Sequence, residues 1–439
     1  MPFEIDHMKK AMAMVRLVAC WLIVSWAILA PLVACAERAS EPEPFPLMAW
    51  DYADDEATLK KMADCGINMV AFVPPGALDA CHKHGIRAIV YQKGITPARW
   101  DHPFNAAEAN AALPDLIKRV NDHPAVFGYH LKDEPGADQF AELGKSVELV
   151  KKLAPGKWPY INMTPGMGKG YDDFLELYLD ACKPPILSYD NYPVGQDGSF
   201  SYGFWANIAA IRTAALRHDI PFYNIFLSSA HLTYGEPDEN RLRLQAWGSL
   251  VYGARGLCYY KFISASLPIL EAPDLGDWRN GPLDQFGEKT HAWYWLRNLN
   301  RQVQNYGPTL VKLKSDVVYH VGEVPEDNRG LGDDTLVKGL KAGDAFVIGD
   351  FTHEDDGSRW VMIVNKHLKN SVQCIPEFRD EMAAVGYLSP ITGEVKPFPS
   401  PWYCLPAGQG VLLKLTPKPA ADLDQTVSEP AKSANQGNQ

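Results

Sequence analysis

Basic charge is scarce in this 439-residue sequence: 42 Lys and Arg stand against 53 Asp and Glu, a formal net charge of −11. A protein that grips a nucleic-acid backbone needs a basic face, so no nucleic-acid partner is expected. Beyond the N-terminus no apolar run approaches the ~20 residues that span a bilayer. The eight cysteines form no Cys-x-x-Cys pair, and no His, Cys, Asp or Glu set has metal-ligand spacing, so neither metal nor cofactor is expected. No Gly-x-Gly-x-x-Gly follows the first candidate strand. Gly166-Met167-Gly168-Lys169-Gly170 lacks the Walker spacing and a following Ser or Thr, and reads as a flexible loop. What is plentiful is apolar and aromatic material: 46% of residues are apolar, and there are 12 Trp, 19 Tyr and 17 Phe. That composition belongs to a globular protein. The length fits two or three domains of ~100–200 residues, or one barrel of ~250 with a smaller companion.

The first residues read as an address. Met8-Lys9-Lys10 and Arg16 precede an apolar run from Leu17 to Val33, broken only by Ser25 and Pro31, the pattern of a secretory signal peptide over residues 1–34. The run ends in Leu32-Val33-Ala34-Cys35, which resembles the lipobox of bacterial lipoproteins. That resemblance implies cleavage before Cys35, lipidation of its thiol, and an exported protein held to a bacterial membrane through that anchor alone. An ordinary signal cut near Ala34 or Ala36, or a retained anchor helix, are the alternatives. Cys20 precedes most of the apolar run and is poorly placed for cleavage, and translation starting at Met8 would keep the pattern intact. Lys9, Lys10 and Arg16 outweigh Glu4 and Asp6 by one charge, so the mature chain would carry −12. Of the remaining cysteines, Cys65, Cys81, Cys182 and Cys258 fall in candidate helices or strands and read as buried thiols. Cys374 and Cys404 either form one disulfide or stay free.

From Leu47 onward, after a linker over 35–46, short apolar runs alternate with amphipathic stretches. The predicted strands are Leu47–Tyr52, Ile67–Val73, Ile86–Tyr91, Val126–Leu131, Trp158–Met163, Ile186–Tyr189, Phe222–Leu227 and Leu257–Phe262. Predicted helices between them include Ala57–Cys65, Ala106–Asn121, Ala137–Leu153, Tyr171–Cys182, Phe204–His218 and Glu239–Gly253, with Gly66, Gly85 and Gly256 as candidate C-terminal caps. Repeated βαβ units imply a parallel sheet, and eight of them fit a (β/α)8 TIM barrel over 47–312, with a doubly wound sheet as the alternative. A helix from Thr290 to about Tyr306 closes it. Short strands then follow at Val317–Val321, Ala345–Asp350, Trp360–Val364, Ala383–Tyr387 and Gly410–Leu415, predicting an all-β sandwich domain over 313–416 and a disordered tail over 417–439.

A barrel of this kind builds its site where strands end. Those ends carry Trp50-Asp51-Tyr52, Tyr91-Gln92-Lys93, Lys132-Asp133-Glu134-Pro135, Tyr189-Asp190-Asn191-Tyr192-Pro193, Ser228-Ser229-Ala230-His231 and Tyr259-Tyr260-Lys261-Phe262. Carboxylates that handle protons or form a glycosyl ester, set among flat aromatic rings, suit a carbohydrate substrate. Trp50, Tyr189, Tyr192 and Tyr260 are candidate stacking residues, and Asp51, Asp133, Asn191, His231 and Glu236 are candidate polar contacts. Lys132 and Lys261 could neutralise an acidic sugar or a sulfate, or pair with Asp133 and Asp190. His231 reads equally as a hydrogen-bonded loop residue.

Val126-Phe127-Gly128-Tyr129-His130-Leu131-Lys132-Asp133-Glu134-Pro135 resembles the fourth-strand motif of clan A glycoside hydrolases, in which Asn-Glu-Pro or a similar string supplies the general acid/base. The resemblance implies that role for Glu134, with Asp133 in place of the usual Asn. A neighbouring carboxylate raises the pKa of an acid, which suits proton donation at neutral pH. Taken alone, Asp-Glu-Pro is also an ordinary helix start. The whole chain most resembles bacterial family 42 β-galactosidases, including Trp247-Gly248-Ser249-Leu250-Val251-Tyr252-Gly253-Ala254-Arg255-Gly256. The strings Ser389-Pro390-Ile391-Thr392-Gly393-Glu394 and Leu405-Pro406-Ala407-Gly408-Gln409-Gly410 resemble the terminal sandwich of such enzymes.

One departure stands out. Clan A enzymes place a nucleophilic Glu at the end of strand 7, whereas Phe222–Ser229 holds no acid. Asp190 is the favoured substitute, with Glu236 and Asp51 behind it. A carboxyl separation of ~5–5.5 Å would imply retention and ~6.5–9.5 Å inversion. The expectation is a glycosidase. A non-catalytic carbohydrate-binding lipoprotein on a degenerate barrel is the rival, and a Schiff-base lyase or aldolase using Lys132 or Lys261 a third reading. Sugar identity, exo or endo action and oligomeric state have no signal in the sequence.

Overall fold

A computed structural model describes residues 43–97, 99–264, 278–379 and 382–417; the signal segment, Cys35 and the tail beyond Pro417 lie outside them. The eight expected strands close into an all-parallel barrel in sequential order. They are β1 (Leu47–Tyr52), β2 (Met69–Val73), β3 (Arg87–Val90), β4 (Val126–Asp133), β5 (Trp158–Met163), β6 (Leu187–Asn191), β7 (Phe222–Leu227) and β8 (Gly256–Tyr260), with β8 pairing back onto β1. The helices outside are α1 (Glu56–Asp64), α2 (Leu78–Lys83), α3 (Ala106–Val120), α4 (Phe140–Leu153), α5 (Lys169–Cys182), α6 (Gly203–Arg217) and α7 (Glu239–Val251), followed by α8 (His291–Leu310).

Local chemistry starts these helices where the sequence places them. The Asp55 carboxylate accepts from the Thr58 N–H at 2.8 Å and Asp238 from the Arg241 N–H at 2.8 Å, capping α1 and α7. Leu113, Leu116, Ile117 and Val120 bury one stripe of α3 against the sheet. Gly66 and Gly85 end α1 and α2 with φ of +93° and +67°. The third expected cap is corrected: Gly253, at φ +95°, turns the chain after α7, whereas Gly256 opens β8 because a Cβ there would lie 2.4 Å from the Tyr223 ring. Helix α8 continues beyond Tyr306, through Pro308, to Leu310.

Apolar side chains separate into an outer shell between strands and helices and a smaller cluster inside the barrel. The inner cluster includes Met48, Trp50, Met69, Ala71, Ile89, Tyr160, Tyr223, Ile225 and Cys258. Layered side chains of this kind fill a barrel and leave its site to the strand ends.

The C-terminal region is an antiparallel six-stranded sheet in the order β16-β15-β18-β12-β11-β9, with two two-stranded sheets, β10-β14 and β13-β17. Its strands are β9 (Leu313–Val321), β10 (Val337–Leu340), β11 (Phe346–His353), β12 (Arg359–Asn365), β13 (Val372–Gln373), β14 (Pro376–Phe378), β15 (Met382–Leu388), β16 (Val395–Pro397), β17 (Cys404–Leu405) and β18 (Gly410–Pro417). Along β12, Trp360, Met362 and Val364 join the barrel's core, while Val361 and Ile363 join a second core with Val337 and Leu405 of the small sheets. The large sheet is therefore buried on both faces, against α7 on one side and the short strands on the other. Cys374 is buried and Cys404 exposed; both are free thiols, so the disulfide considered for them is not formed.

Candidate active site

The end of β4 is shaped by an irregularity. His130 pairs with Tyr160 of β5, yet Lys132 pairs with Ile161, so Leu131 is an extra residue in the register. Such a bulge re-aims the side chains that follow it. Asp133 consequently stands opposite Asn162, on the barrel's interior side, three residues after His130 rather than at an even spacing. Glu134 then turns the chain out of the sheet at φ +48°, its N–H donating to the Asn162 carbonyl at 2.8 Å. A left-handed backbone at a non-glycine residue costs of order 1 kcal/mol and persists where its surroundings over-determine it.

Two carboxyl groups meet at one amide, and a third, Glu134, joins them through Asp190. The Asn162 Nδ2 donates to Asp133 Oδ1 at 3.1 Å and to Asp190 Oδ1 at 2.8 Å. Its Oδ1 accepts from Ser188 Oγ at 3.0 Å, and Ser188 lies 2.7 Å from the Tyr160 hydroxyl. Because Ser188 spends its one proton on Asn162, Tyr160 must be the donor to Ser188, and the chain of bonds runs one way toward the acids. A hydrogen bond between Glu134 and Asp190 lowers Glu134 and raises Asp190, so the Asp190 carboxyl donates and the Glu134 carboxylate accepts. Two carboxyl groups in such contact cannot both be ionised, so the pair holds a proton. Burial, then the Glu134 and Asp133 charges, drive the Asp190 carboxyl far above the carboxylate range. Burial also raises Glu134, and burial with the Glu134 charge pushes Asp133 up to about 7.

Beside these acids lies a cleft of ≈460 Å³ whose walls include Trp50, Phe72, Tyr91, Trp100, His130, Lys132, Asp133, Tyr260 and Lys261. Trp50 stands edge-on to Phe72, with ring centres 4.7 Å apart. Burial keeps His130 neutral, with its pKa pushed down to about 3. A second aromatic group forms where β6 and β8 end: Tyr192 stacks on Tyr260 at 5.3 Å, and His231 packs against Tyr192, Tyr260 and Trp278. The His231 Nδ1 lies 3.0 Å from the Ser229 carbonyl, to which it can only donate, and burial pushes its pKa down to about 4. It is therefore a neutral imidazole with Nε2 as an acceptor.

Other expected residues are placed differently. Tyr189 faces outward into the core between sheet and helices, because alternation along β6 sends Ser188 and Asp190 inward instead. Asn191 donates to Asn207 Oδ1 at 2.7 Å and fixes α6. Glu236 is 49% exposed and paired with Arg279 at 2.9 Å. Asp51 accepts from the N–H groups of Tyr52 and Ile263 at 2.9 and 2.8 Å and pairs with Lys261 at 3.3 Å, clasping β1 to the segment after β8. Lys261 thus pairs with Asp51 rather than Asp190, and Lys132 bonds the Asp133 main chain, not its carboxylate. Ser228 and Ser229 follow β7, with no acid there. Among the described residues, no group of three or more His, Cys, Asp or Glu side chains is disposed to hold a metal.

Sequence reasoning missed Asn162, Ser188, His130 and Trp278. A polar residue within the apolar run Trp158–Met163 was the available signal for Asn162. Nothing in the sequence marked the bulge at Leu131.

No protein-family model matches the chain, and no curated protein does. Solved structures do. A family 5 glycoside hydrolase from Bacteroides vulgatus aligns with a TM-score of 0.54 at 13% identity, over 85% of this chain and 89% of that one. A catalytic mutant of a family 42 β-galactosidase from G. stearothermophilus aligns with a TM-score of 0.56 at 10% identity, over 85% and 98%. The fold is shared with these two glycoside hydrolases. The match spans 62% of the β-galactosidase of Marinomonas ef1 and half of a family 2 β-galacturonidase of Eisenbergiella tayi.

Proposed function

We propose that the protein hydrolyses a glycosidic bond in an oligo- or polysaccharide, with Glu134 as the general acid/base and Asp190 as its proton-sharing partner. The observation that carries this reading is the Glu134–Asp190 pair: two hydrogen-bonded carboxyl groups at the C-terminal ends of β4 and β6, one of them on a left-handed backbone, beside an aromatic cleft. Glu134 turns the strand outward and is half-buried, so its proton can reach a leaving-group oxygen. Asp190 lies behind it, 4% exposed, and holds the pair's one proton, which passes to Glu134 as the leaving group departs; the doubly ionised pair then takes a proton back from the attacking water. Asp133 and Asn162 set the charge and direction of that exchange. The test is release of reducing ends from a panel of oligosaccharides and aryl glycosides by wild type and Glu134→Gln, with folding checked by circular dichroism. Turnover by wild type and its loss in the variant is the expected result; a variant as active as wild type would sink the assignment.

A second reading has its own support. No acid ends β7, the strand where the resemblance places a nucleophile. That feature suits a carbohydrate-binding protein without turnover, and binding of glycans with no hydrolysis by wild type would decide for it. For the cellular setting we propose export and lipidation at Cys35, on the string Leu32-Val33-Ala34-Cys35. Membrane-fraction recovery of wild type and release of Cys35→Ala into the soluble fraction is the expected outcome.

A further inference from the structure

Three cations line the cleft, and two of them have anionic partners. Arg99 meets both oxygens of Asp101, at 3.0 and 2.9 Å, and Lys261 lies 3.3 Å from Asp51. Lys132 differs. It is 1% exposed, and its ammonium donates to two main-chain carbonyls, those of Trp100 and Asp133, the latter at 2.6 Å. No carboxylate among the described residues comes within ion-pair range of it; the Asp133 carboxylate has turned to Asn162. An ammonium has three N–H donors, so one remains unassigned. A buried cation bonded only to neutral groups is compensated at a distance, here by Asp133, Glu134 and Asp101, and an anion in direct contact compensates it better.

The surroundings suit an anion that arrives on a sugar. The same cleft presents the rings of Trp50, Phe72, Tyr91 and Tyr260, and its volume of ≈460 Å³ lies within the ~300–1,000 Å³ of ligand sites. Asp51 is already neutralised by Lys261 and two main-chain N–H groups, so it adds little opposing charge. Asp190, held protonated by burial, adds none, and Asp133 adds little below about pH 7, which leaves Glu134 as the one opposing carboxylate beside Lys132.

We infer that the cleft selects an anionic sugar, whose carboxylate or sulfate takes the remaining N–H of Lys132 while its ring lies on the aromatic wall. The inference rests on the carbohydrate reading above and names its substrate class. Binding to the wild-type protein by isothermal titration calorimetry tests it, with D-galacturonate and D-glucuronate as the carboxylate probes, D-galactose 6-sulfate as the sulfate probe, and D-galactose and D-glucose as neutral controls. One anionic class should bind roughly 10- to 100-fold tighter than the neutral sugars, the increment of a charge-assisted bond in a desolvated site. Which class does so tells the carboxylate from the sulfate source. Lys132→Met should bring the anionic sugar down to the affinity of the neutral ones, and Lys132→Arg should recover part of the preference. Equal affinity of wild type for neutral and anionic sugars overturns the inference while leaving the carbohydrate reading intact. A folded Lys132→Met that keeps the preference overturns it too, as does borohydride trapping of a carbonyl sugar on Lys132. If no sugar of either kind binds, the carbohydrate reading itself fails.

Discussion

Asp190 at the mouth of the barrel and Asp350 in the C-terminal sheet are both buried aspartates, and their partners separate them. Asp350, 0% exposed, accepts from the Tyr319 hydroxyl at 2.8 Å and from the Leu336 N–H at 2.8 Å. Each of its oxygens has a neutral donor, and burial raises its pKa only to about 6. Asp190 has one donor, the Asn162 amide, and two acidic neighbours, and its carboxyl stays protonated far higher. Similar burial thus yields a satisfied acid that ties β9, β11 and the approach to β10 together, and an unsatisfied one that must hold a proton. A group satisfied by its fold serves the fold; a group kept short of partners is available to a ligand or a reaction.

The comparison breaks most visibly at Asp190. Asp190→Asn keeps the shape but removes the shared proton, and kcat/KM should fall ~10²–10⁴-fold, the range of a general acid–base contribution, with no loss of thermal stability. Wild-type kinetics in that variant would remove Asp190 from the chemistry. Asp350→Asn should do the reverse. Its amide can accept from Tyr319 but sets a donor against the Leu336 N–H, so stability should drop by about 1–3 kcal/mol in a denaturant titration with kcat/KM unchanged. The smallest effect is expected at Asp133. Its folded pKa of about 7 exceeds the ordinary 3.8, so the folded state binds the extra proton and stability falls as pH rises between those values. Asp133→Asn removes that loss, and the variant should gain on the order of 1–2 kcal/mol over wild type at pH 8 but not at pH 4. An equal gain at both pH values would mean that Asp133 is not raised.

Much of the barrel was legible because its strands are short apolar runs ended by turn chemistry: β1, β5 and β7 begin and end where those runs do. The second layer of the C-terminal domain was not. β13 and β17 have two residues each and β14 and β16 three, too short for any periodicity to show, and they are held by the sheet they cover. Within the site, Glu134 could be named because Asp133-Glu134-Pro135 resembles a known fourth-strand motif, and Asp190 because it is an acid between Tyr189 and Tyr192 at the end of a strand. The period of two along β6 opposes Tyr189 to Asp190, which turns its ring from the substrate into the outer core. Asn162 was overlooked as one polar residue in an apolar strand. The bulge at Leu131, which brings Asp133 to that amide, follows from pairing with β5 and leaves no local trace.

The central claim is that Glu134 and Asp190 act as one titrating unit, and the pH dependence of kcat/KM for wild type and Asp190→Asn tests it most directly. Two carboxyls in contact release their second proton late, whereas a carboxyl beside an amide does not. The account predicts that the alkaline limb moves to lower pH in the variant. An alkaline limb at the same pH in both proteins would contradict it.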